Sequence, residues 1–180
     1  MTDQKIVLRD RARRERSQKF ISCNFSVILK APEIASASTI ASYVSYDLEP
    51  STLEINEAFL RDGKMVVLPR INGDQLEWVS WNGDPNQLIS KKNILEPLGE
   101  ALKDLSHIAA VIVPALRIDQ SGYRLGQGGG YYDRALPKFK AWTIGLVYAG
   151  ELNSEELPHE AHDIPLDAAA SPSIVVRFNR

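Results

Sequence analysis

Tyr123 to Arg134 (Tyr-Arg-Leu-Gly-Gln-Gly-Gly-Gly-Tyr-Tyr-Asp-Arg) concentrates the groups of this chain that could do chemistry. Four glycines, Gly126, Gly128, Gly129 and Gly130, fall within five positions, between Arg124 and the run Tyr131-Tyr132-Asp133-Arg134. Glycine permits positive φ and lets a ligand approach bare backbone. A loop of exposed N–H groups opening a helix suits an anion such as phosphate. Arg124 and Arg134 could add charge-assisted contacts to phosphate oxygens, and Asp133 offers a hard oxygen ligand for Mg²⁺. Glycine clusters also build plain turns. The run is neither the Gly-Lys-Ser/Thr phosphate loop nor the dinucleotide fingerprint, because Tyr131 stands where that pattern needs a small residue.

A second group of charges lies near the amino terminus. Lys5, Arg9, Arg13 and Arg16 are spaced four, four and three apart, which puts them on one face of a helix. Such a stripe is either a solvated face or a basic arm over an anionic ligand. Arg11, Arg14 and Lys19 read as surface charges. Glu49 and Asp163, taken alone, read as turn and loop acids. His159-Glu160-Ala161-His162-Asp163 lacks the His-Glu-x-x-His spacing, and the single Cys23 argues against structural zinc.

Taken whole, Arg124-Leu125-Gly126-x-Gly128-Gly129-Gly130-Tyr131-Tyr132-Asp133-Arg134 resembles the signature of the 5-formyltetrahydrofolate cyclo-ligase (5,10-methenyltetrahydrofolate synthetase) family. Further landmarks follow in the same order: Lys5 to Arg9, Glu49 with Thr52, Val67-Leu68-Pro69-Arg70, Ile94-Leu95-Glu96-Pro97, Val113-Pro114-Ala115-Leu116, and Leu157-Pro158 with His162-Asp163. The resemblance covers nearly the whole chain. It departs at Ala170-Ser171-Pro172-Ser173, where a threonine followed by an acid is expected.

The resemblance implies ATP- and Mg²⁺-dependent cyclisation of 5-formyltetrahydrofolate to 5,10-methenyltetrahydrofolate, through a phosphorylated formyl intermediate, with release of ADP and phosphate. Carried over residue by residue, it implies ATP contacts at Lys5, Arg9, Arg124, Leu125, Gly126, Gln127, Gly128, Gly129, Gly130, Tyr131 and Tyr132. It implies folate contacts at Val44, Glu49, Gln127, Gly128, Gly129, Gly130 and Tyr131, and Mg²⁺ ligation by Asp133 and Asp163. Arg9, Arg124 and Asp133 take the catalytic roles. Two rival readings use the same residues: a relative that binds folate and nucleotide without turnover, and an ATP-dependent ligase or kinase for another small substrate. A third, a nucleic-acid module built on the basic first helix, is opposed by the charge balance of the rest of the chain.

The elements that must position these residues follow from patterning. A helix is predicted from a cap at Thr2 or Asp3 to about Phe20, and a second within 21–37 that ends near Pro32. Thr39 to Tyr46 reads as a strand, 47–50 as a turn, and Ser51 as the cap of a helix through Leu60. Lys64–Pro69 and Leu76–Trp81 read as strands joined at a turn, 82–93 as a surface excursion, and Leu98–Leu105 as a helix opened by Pro97. Ile108–Val113 is a buried strand leading to the glycine loop. Tyr131–Leu136 is a short helix closed by Pro137, Trp142–Tyr148 another strand, and Ile174–Phe178 an edge strand. Trp78, Trp81 and Trp142 read as packing residues, with Trp78 or Trp81 able to border the folate cleft.

Alternation of helices with short apolar strands gives an α/β fold with a largely parallel sheet. The resemblance makes it a single three-layer α/β/α domain of the NagB/RpiA/CoA-transferase-like kind, spanning 1–180. In such sheets ligands gather at the carboxyl ends of strands, here Asp47–Glu49, Pro69–Arg70, Pro114–Asp133 and Tyr148–Gly150. The net charge of −2 is uneven: residues 1–20 carry seven basic and three acidic groups, leaving −6 on the remainder. No apolar run is long enough for a membrane helix, and the charged start, without an apolar core, does not read as a secretory signal. A cytoplasmic, monomeric enzyme acting on small molecules is the expectation, with neither nucleic-acid nor membrane partners.

Overall fold

The computed structural model describes residues 3–19, 23–153 and 155–179. In chain order its elements are α1 (Asp3–Lys19), α2 (Pro32–Ser36), β1 (Thr39–Ala41), α3 (Leu53–Arg61), β2 (Met65–Asn72), β3 (Gln75–Trp81), β4 (Leu88–Lys91) and β5 (Ile94–Pro97). They continue with β6 (Ala110–Pro114), β7 (Arg117–Asp119), β8 (Arg124–Leu125), α4 (Tyr131–Ala135), β9 (Trp142–Leu146), β10 (Leu152–Asn153), β11 (Ala168–Ala170) and β12 (Val175–Arg177).

Seven strands form the main sheet in the order β12-β11-β9-β6-β1-β2-β3. The five inner strands are parallel, and the two edges are antiparallel. Both faces are buried, and the period-two alternation divides each inner strand between two cores. Val66, Leu68, Ile112 and Ile144 pack with Phe25, Ile28, Ile34, Ile55 and Phe59. Val67, Val111, Val113 and Ala169 pack with Ile118, Ala135, Leu136 and Leu166. The first layer is helical, while the second combines α4 with the small sheet β10-β7-β8. Gly145 permits that close approach, since a Cβ there would lie 2.3 Å from Ile118 Cδ1.

Several local expectations change. Pro32 opens α2 instead of closing a longer helix, because its missing N–H and fixed φ suit a first turn. Before it, the described residues from 23 on form only a 3-10 turn, Ser26–Lys30; Ile21, like the cap proposed at Thr2, falls outside the described residues. β1 stops at Ala41 rather than Tyr46. There the Tyr43 carbonyl accepts from Thr52 Oγ1 at 2.6 Å and Asn56 Nδ2 at 3.0 Å, so side chains replace the ladder. Thr52, not Ser51, precedes α3, and its hydroxyl is spent on that contact instead of on a cap.

The polar excursion contains a hairpin, β4–β5, turned by Lys92 and Asn93 at φ +49° and +67°. Leu98–Leu105 is not a helix. Gly99 sits at φ +124°, Ala101 bridges Val79, and the Leu102 N–H donates to the Trp78 carbonyl at 2.7 Å, so the segment is drawn out along β3. The β7–β8 hairpin intervenes between β6 and the glycine loop, and a 3-10 turn at Leu136–Lys138 runs on through Pro137. β11, three alanines within an acidic, proline-bearing stretch, carries no strand signal yet is buried at the sheet interior.

α1 is held by few apolar contacts, Leu8 and Ala12 against Leu116, Leu125 and Leu157, and by many charged ones. Arg16 is not solvated: it is buried, grips Glu151 with two bonds of 2.8 and 2.6 Å, and donates to the Ala115 carbonyl at 2.9 Å. Arg16→Met strands the Glu151 carboxylate and is expected to lower unfolding free energy by about 3 kcal/mol. Urea titration of both proteins checks it, and equal midpoints would contradict the anchoring role.

Candidate active site

The carboxyl ends of β1, β2 and β6, through Tyr43–Val44, Pro69 and Pro114–Leu116, converge with the loop Gly126–Gly130 on one cleft of about 440 Å³. That volume is within the usual range for a small-molecule site. Lys5, Arg9, Val44, Glu49, Arg124, Gln127, Tyr131, Tyr132, Asp133 and Asp163 all line it, so one cleft collects all the predicted site residues except Leu125, which is buried beside it under α1. Tyr148–Gly150 instead face a second hollow with Arg16 and Glu151. Arg70 turns away as well, pairing with Glu77 at 2.8 Å.

One end of the cleft is ionic. α1 sends Lys5 and Arg9 into it, both buried, one helical turn apart. The Lys5 ammonium pairs with Asp163 and lies 3.7 Å from Glu160. The Arg9 Nε donates to the Gly126 carbonyl at 2.9 Å. Burial, reinforced by the neighbouring Arg13, holds the Arg9 guanidinium below its ordinary pKa. Arg13 is exposed, as a solvated residue should be, but both its Nε and NH2 reach Gln127 Oε1, at 3.1 and 3.0 Å. Arg124 is nearly enclosed, donating to Asp133 Oδ1 and to the Ile164 carbonyl, each at 2.8 Å. Burial alone would raise the Asp163 carboxyl, but Lys5 and the Glu160 N–H, 2.7 Å away, hold it below the usual range.

The other end is apolar. Pro69, Ile71, Leu76, Ile94, Leu95, Tyr131 and Tyr132 line it, and Tyr43 and Glu49 also line the cleft. Tyr131 lies under the Arg134 guanidinium, 5.2 Å from ring centre, and Arg134 donates to the Gly129 carbonyl at 2.9 Å. Tyr132 packs edge-on against Trp78 at 6.3 Å, and Trp78 stands behind it among the core residues rather than at the cleft. Glu49 is no simple turn residue. It is buried, accepts from the Tyr46 N–H at 3.3 Å, and is pushed up to about 7, chiefly by loss of solvent.

Glu96 had a place in the resemblance but no role. It is buried in the cleft wall, where Oε1 accepts from the Ile71 N–H at 2.9 Å. An acid between Leu95 and Pro97 gives no local hint of burial, since a pairing 25 residues distant creates it.

Among the described residues no group of three or more His, Cys, Asp or Glu gathers as a metal centre. Mg²⁺ does not require one, since one or two carboxylates with water and phosphate complete its octahedron. Asp133 and Asp163 suit that role: both face the cleft, and each is neutralised by a cation, Arg124 or Lys5, that phosphate could attract in turn. Backbone at Gly128 lies open toward Arg9, whose guanidinium carbon would be 3.5 Å from any added Cβ. The donor set fits a magnesium-bound polyphosphate.

Comparison with known proteins places the chain in a family. The model of the 5-formyltetrahydrofolate cyclo-ligase family matches residues 4–172. A protein of Escherichia coli K12 named 5-formyltetrahydrofolate cyclo-ligase is 33% identical over 152 residues, covering 80% of this chain and 83% of its own. One of the same name from Mycolicibacterium smegmatis is 31% identical over 148 residues, covering 76% and 75%. The solution structure of the 5,10-methenyltetrahydrofolate synthetase of Aquifex aeolicus superposes with a TM-score of 0.80 at 28% identity, over 98% of this chain and 93% of that one.

Proposed function

The chain belongs to the 5-formyltetrahydrofolate cyclo-ligase family, and we propose that it is an ATP- and Mg²⁺-dependent enzyme converting 5-formyltetrahydrofolate to 5,10-methenyltetrahydrofolate. The observation that carries this reading is the junction of an ionic, glycine-walled end with an apolar, carboxylate-edged end inside one cleft. Two substrates must meet in such an enzyme, one a polyphosphate and the other a flat heterocycle.

The chemistry needs little covalent help from the protein. A formyl oxygen is a poor leaving group, and transfer of the γ-phosphoryl to it makes it a good one. N10 then attacks the formyl carbon and gives up its proton, the C–O bond breaks, and the oxygen departs in phosphate. The protein's task is alignment and charge stabilisation. Backbone from Gly126 to Gly130, with Lys5, Arg9 and Arg124, holds phosphates. Asp133 and Asp163 would hold Mg²⁺, which would offset charge on the transferred group. Val44, Glu49 and Tyr131 seat the pterin, and the Glu49 carboxylate accepts from its N–H groups. The reading is that of a single-domain, cytoplasmic monomer with small-molecule partners.

The test mixes protein, 5-formyltetrahydrofolate, ATP and Mg²⁺ and follows the near-ultraviolet absorbance of the methenyl product. Product that requires ATP supports the proposal. Nucleotide hydrolysis without methenyl product would point to a ligase or kinase for another substrate.

Glu49 supplies a pH prediction. Its folded pKa, about 7, lies above the ordinary 4.5, so the native state holds a proton that the unfolded state releases between those values. Stability therefore falls as pH rises from 4.5 to 7 and is level above, a penalty of about 3 kcal/mol at pH 8. Glu49→Gln is expected to be the more stable protein at pH 8 and to lose this slope. If the carboxylate grips the pterin, the wild-type KM for folate also rises as pH drops below about 7, and that dependence vanishes in Glu49→Gln. Parallel pH profiles in the two proteins would refute both effects.

A further inference from the structure

Among the described residues, three buried side-chain polar atoms lack a hydrogen-bond partner: Trp78 Nε1, Glu96 Oε2 and the Tyr132 hydroxyl. Native proteins satisfy the great majority of such atoms, so each exception asks for an explanation. Glu96 and Tyr132 line the cleft, and Trp78 lies in the core behind Tyr132. Trp78 stands opposite Pro69 in the β2–β3 register and packs edge-on against Tyr132, and Glu96 is tied to the Ile71 N–H. Glu96 Oε2 at least has the exposed Lys91 ammonium 3.1 Å away, and Trp78 does not line the cleft. Tyr132 does line it, and none of the described residues hydrogen-bonds its hydroxyl.

The position of that hydroxyl is informative. Its ring packs against the core that holds Leu76 and Trp78, beside the apolar end, while the next residue, Asp133, pairs with Arg124 at the ionic end. It therefore lies near the boundary between the two halves. We propose that Tyr132 donates its hydroxyl hydrogen to an oxygen of the bound folate's pterin–formyl unit, at the point where that unit meets the phosphate loop. This rests on the function proposed above, and it moves Tyr132 from the nucleotide contacts implied by resemblance to the folate side. The chemistry favours a donor there. The ring carbonyl and the formyl group on the nearby N5 of that substrate face the same side, and an O–H at the boundary of the two ends can reach an oxygen that must point toward phosphate. A phenol also suits the place because it keeps its hydrogen at neutral pH and so stays a donor. Trp78 holds the ring edge-on within the core, so the bond costs little ordering when the ligand arrives.

Tyr132→Phe removes the hydroxyl and preserves the ring. In the ligand-free protein the change is expected to leave the melting temperature the same or higher, because an unsatisfied group is lost. Calorimetry with 5-formyltetrahydrofolate alone, and with ADP and Mg²⁺ alone, should show folate affinity reduced about 10- to 100-fold with nucleotide affinity unchanged. Turnover should fall at least as far. Equal folate affinity in the two proteins would overturn the proposal, as would a ligand-free Tyr132→Phe protein that melts well below the wild type. So would nucleotide affinity falling in place of folate affinity. Should the wild type form no methenyl product, the functional reading fails, while the calorimetric comparison still decides the role of the hydroxyl.

Discussion

Asp133→Asn is expected to slow methenyl formation about a thousandfold while leaving the fold intact. Asn has the volume of Asp and keeps an oxygen where Oδ1 now accepts from Arg124 at 2.8 Å and from the Ile164 N–H at 3.3 Å. Both contacts can persist in weaker form, so the stability loss should be about 1 kcal/mol. What cannot persist is the negative charge. Without it the proposed hold of this carboxylate on Mg²⁺ goes, and Arg124, nearly enclosed, is left with less to offset its own charge. Arg124→Ala separates the two effects. It removes the cation, strands Asp133 and leaves the Ile164 carbonyl without its donor, and should cost about 3 kcal/mol in unfolding free energy. A Mg²⁺ titration of initial rates, run beside thermal unfolding, distinguishes them. An Asp133→Asn enzyme within about threefold of wild type at all Mg²⁺ concentrations would remove Asp133 from the metal site.

The part of this site legible in the sequence was the part built from contiguous residues. Gly126 to Asp133 reads as an anion loop because its backbone freedom is local, and Lys5 and Arg9 read as one face because helix periodicity is local. Whether that face meets solvent or a cleft was not local. Arg16 belongs to the same stripe and is buried against Glu151, which lies 135 positions away. Glu49 and Glu96 follow the same rule: each owes its burial to distant neighbours. The β-strand periodicity placed the inner strands, since a strand covered on both faces shows an apolar run. It failed where composition conveyed little, at the alanines of β11, and where side chains competed for backbone, at Tyr43. Pro97 followed by Leu98–Leu105 imitated a helix start, yet the segment gains more by pairing with β3. The family resemblance supplied what local physics lacks, the conjunction of the stretches in one order along the chain.

Gly128→Ala should affect turnover nearly as severely as the loss of Asp133, for a different reason. Gly128 sits at φ +105°, where an L side chain is strained, so the substitution is expected to cost about 1–2 kcal/mol of stability. A new methyl would not collide outright, since the nearest atoms, Arg9 Cζ and Nε, lie 3.5 Å from it. It would, however, stand between the guanidinium and the loop and press on the bond from Arg9 Nε to the Gly126 carbonyl. Relaxing the φ angle turns the following N–H groups away from the cleft. A displacement of about 1 Å in a phosphate cradle can cost roughly a hundredfold in rate, and that is the expected fall in kcat/KM for ATP. Gly126→Ala is the comparison, because it has ordinary φ and no atom within 4 Å of the added carbon. It should fold as well as the wild type and weaken ATP only through crowding of the anion. The order of effect on ATP, Gly128→Ala beyond Gly126→Ala beyond wild type, follows if this loop carries the phosphates. Unchanged ATP kinetics in Gly128→Ala would mean that the phosphates lie elsewhere, and that the glycines serve the turn alone.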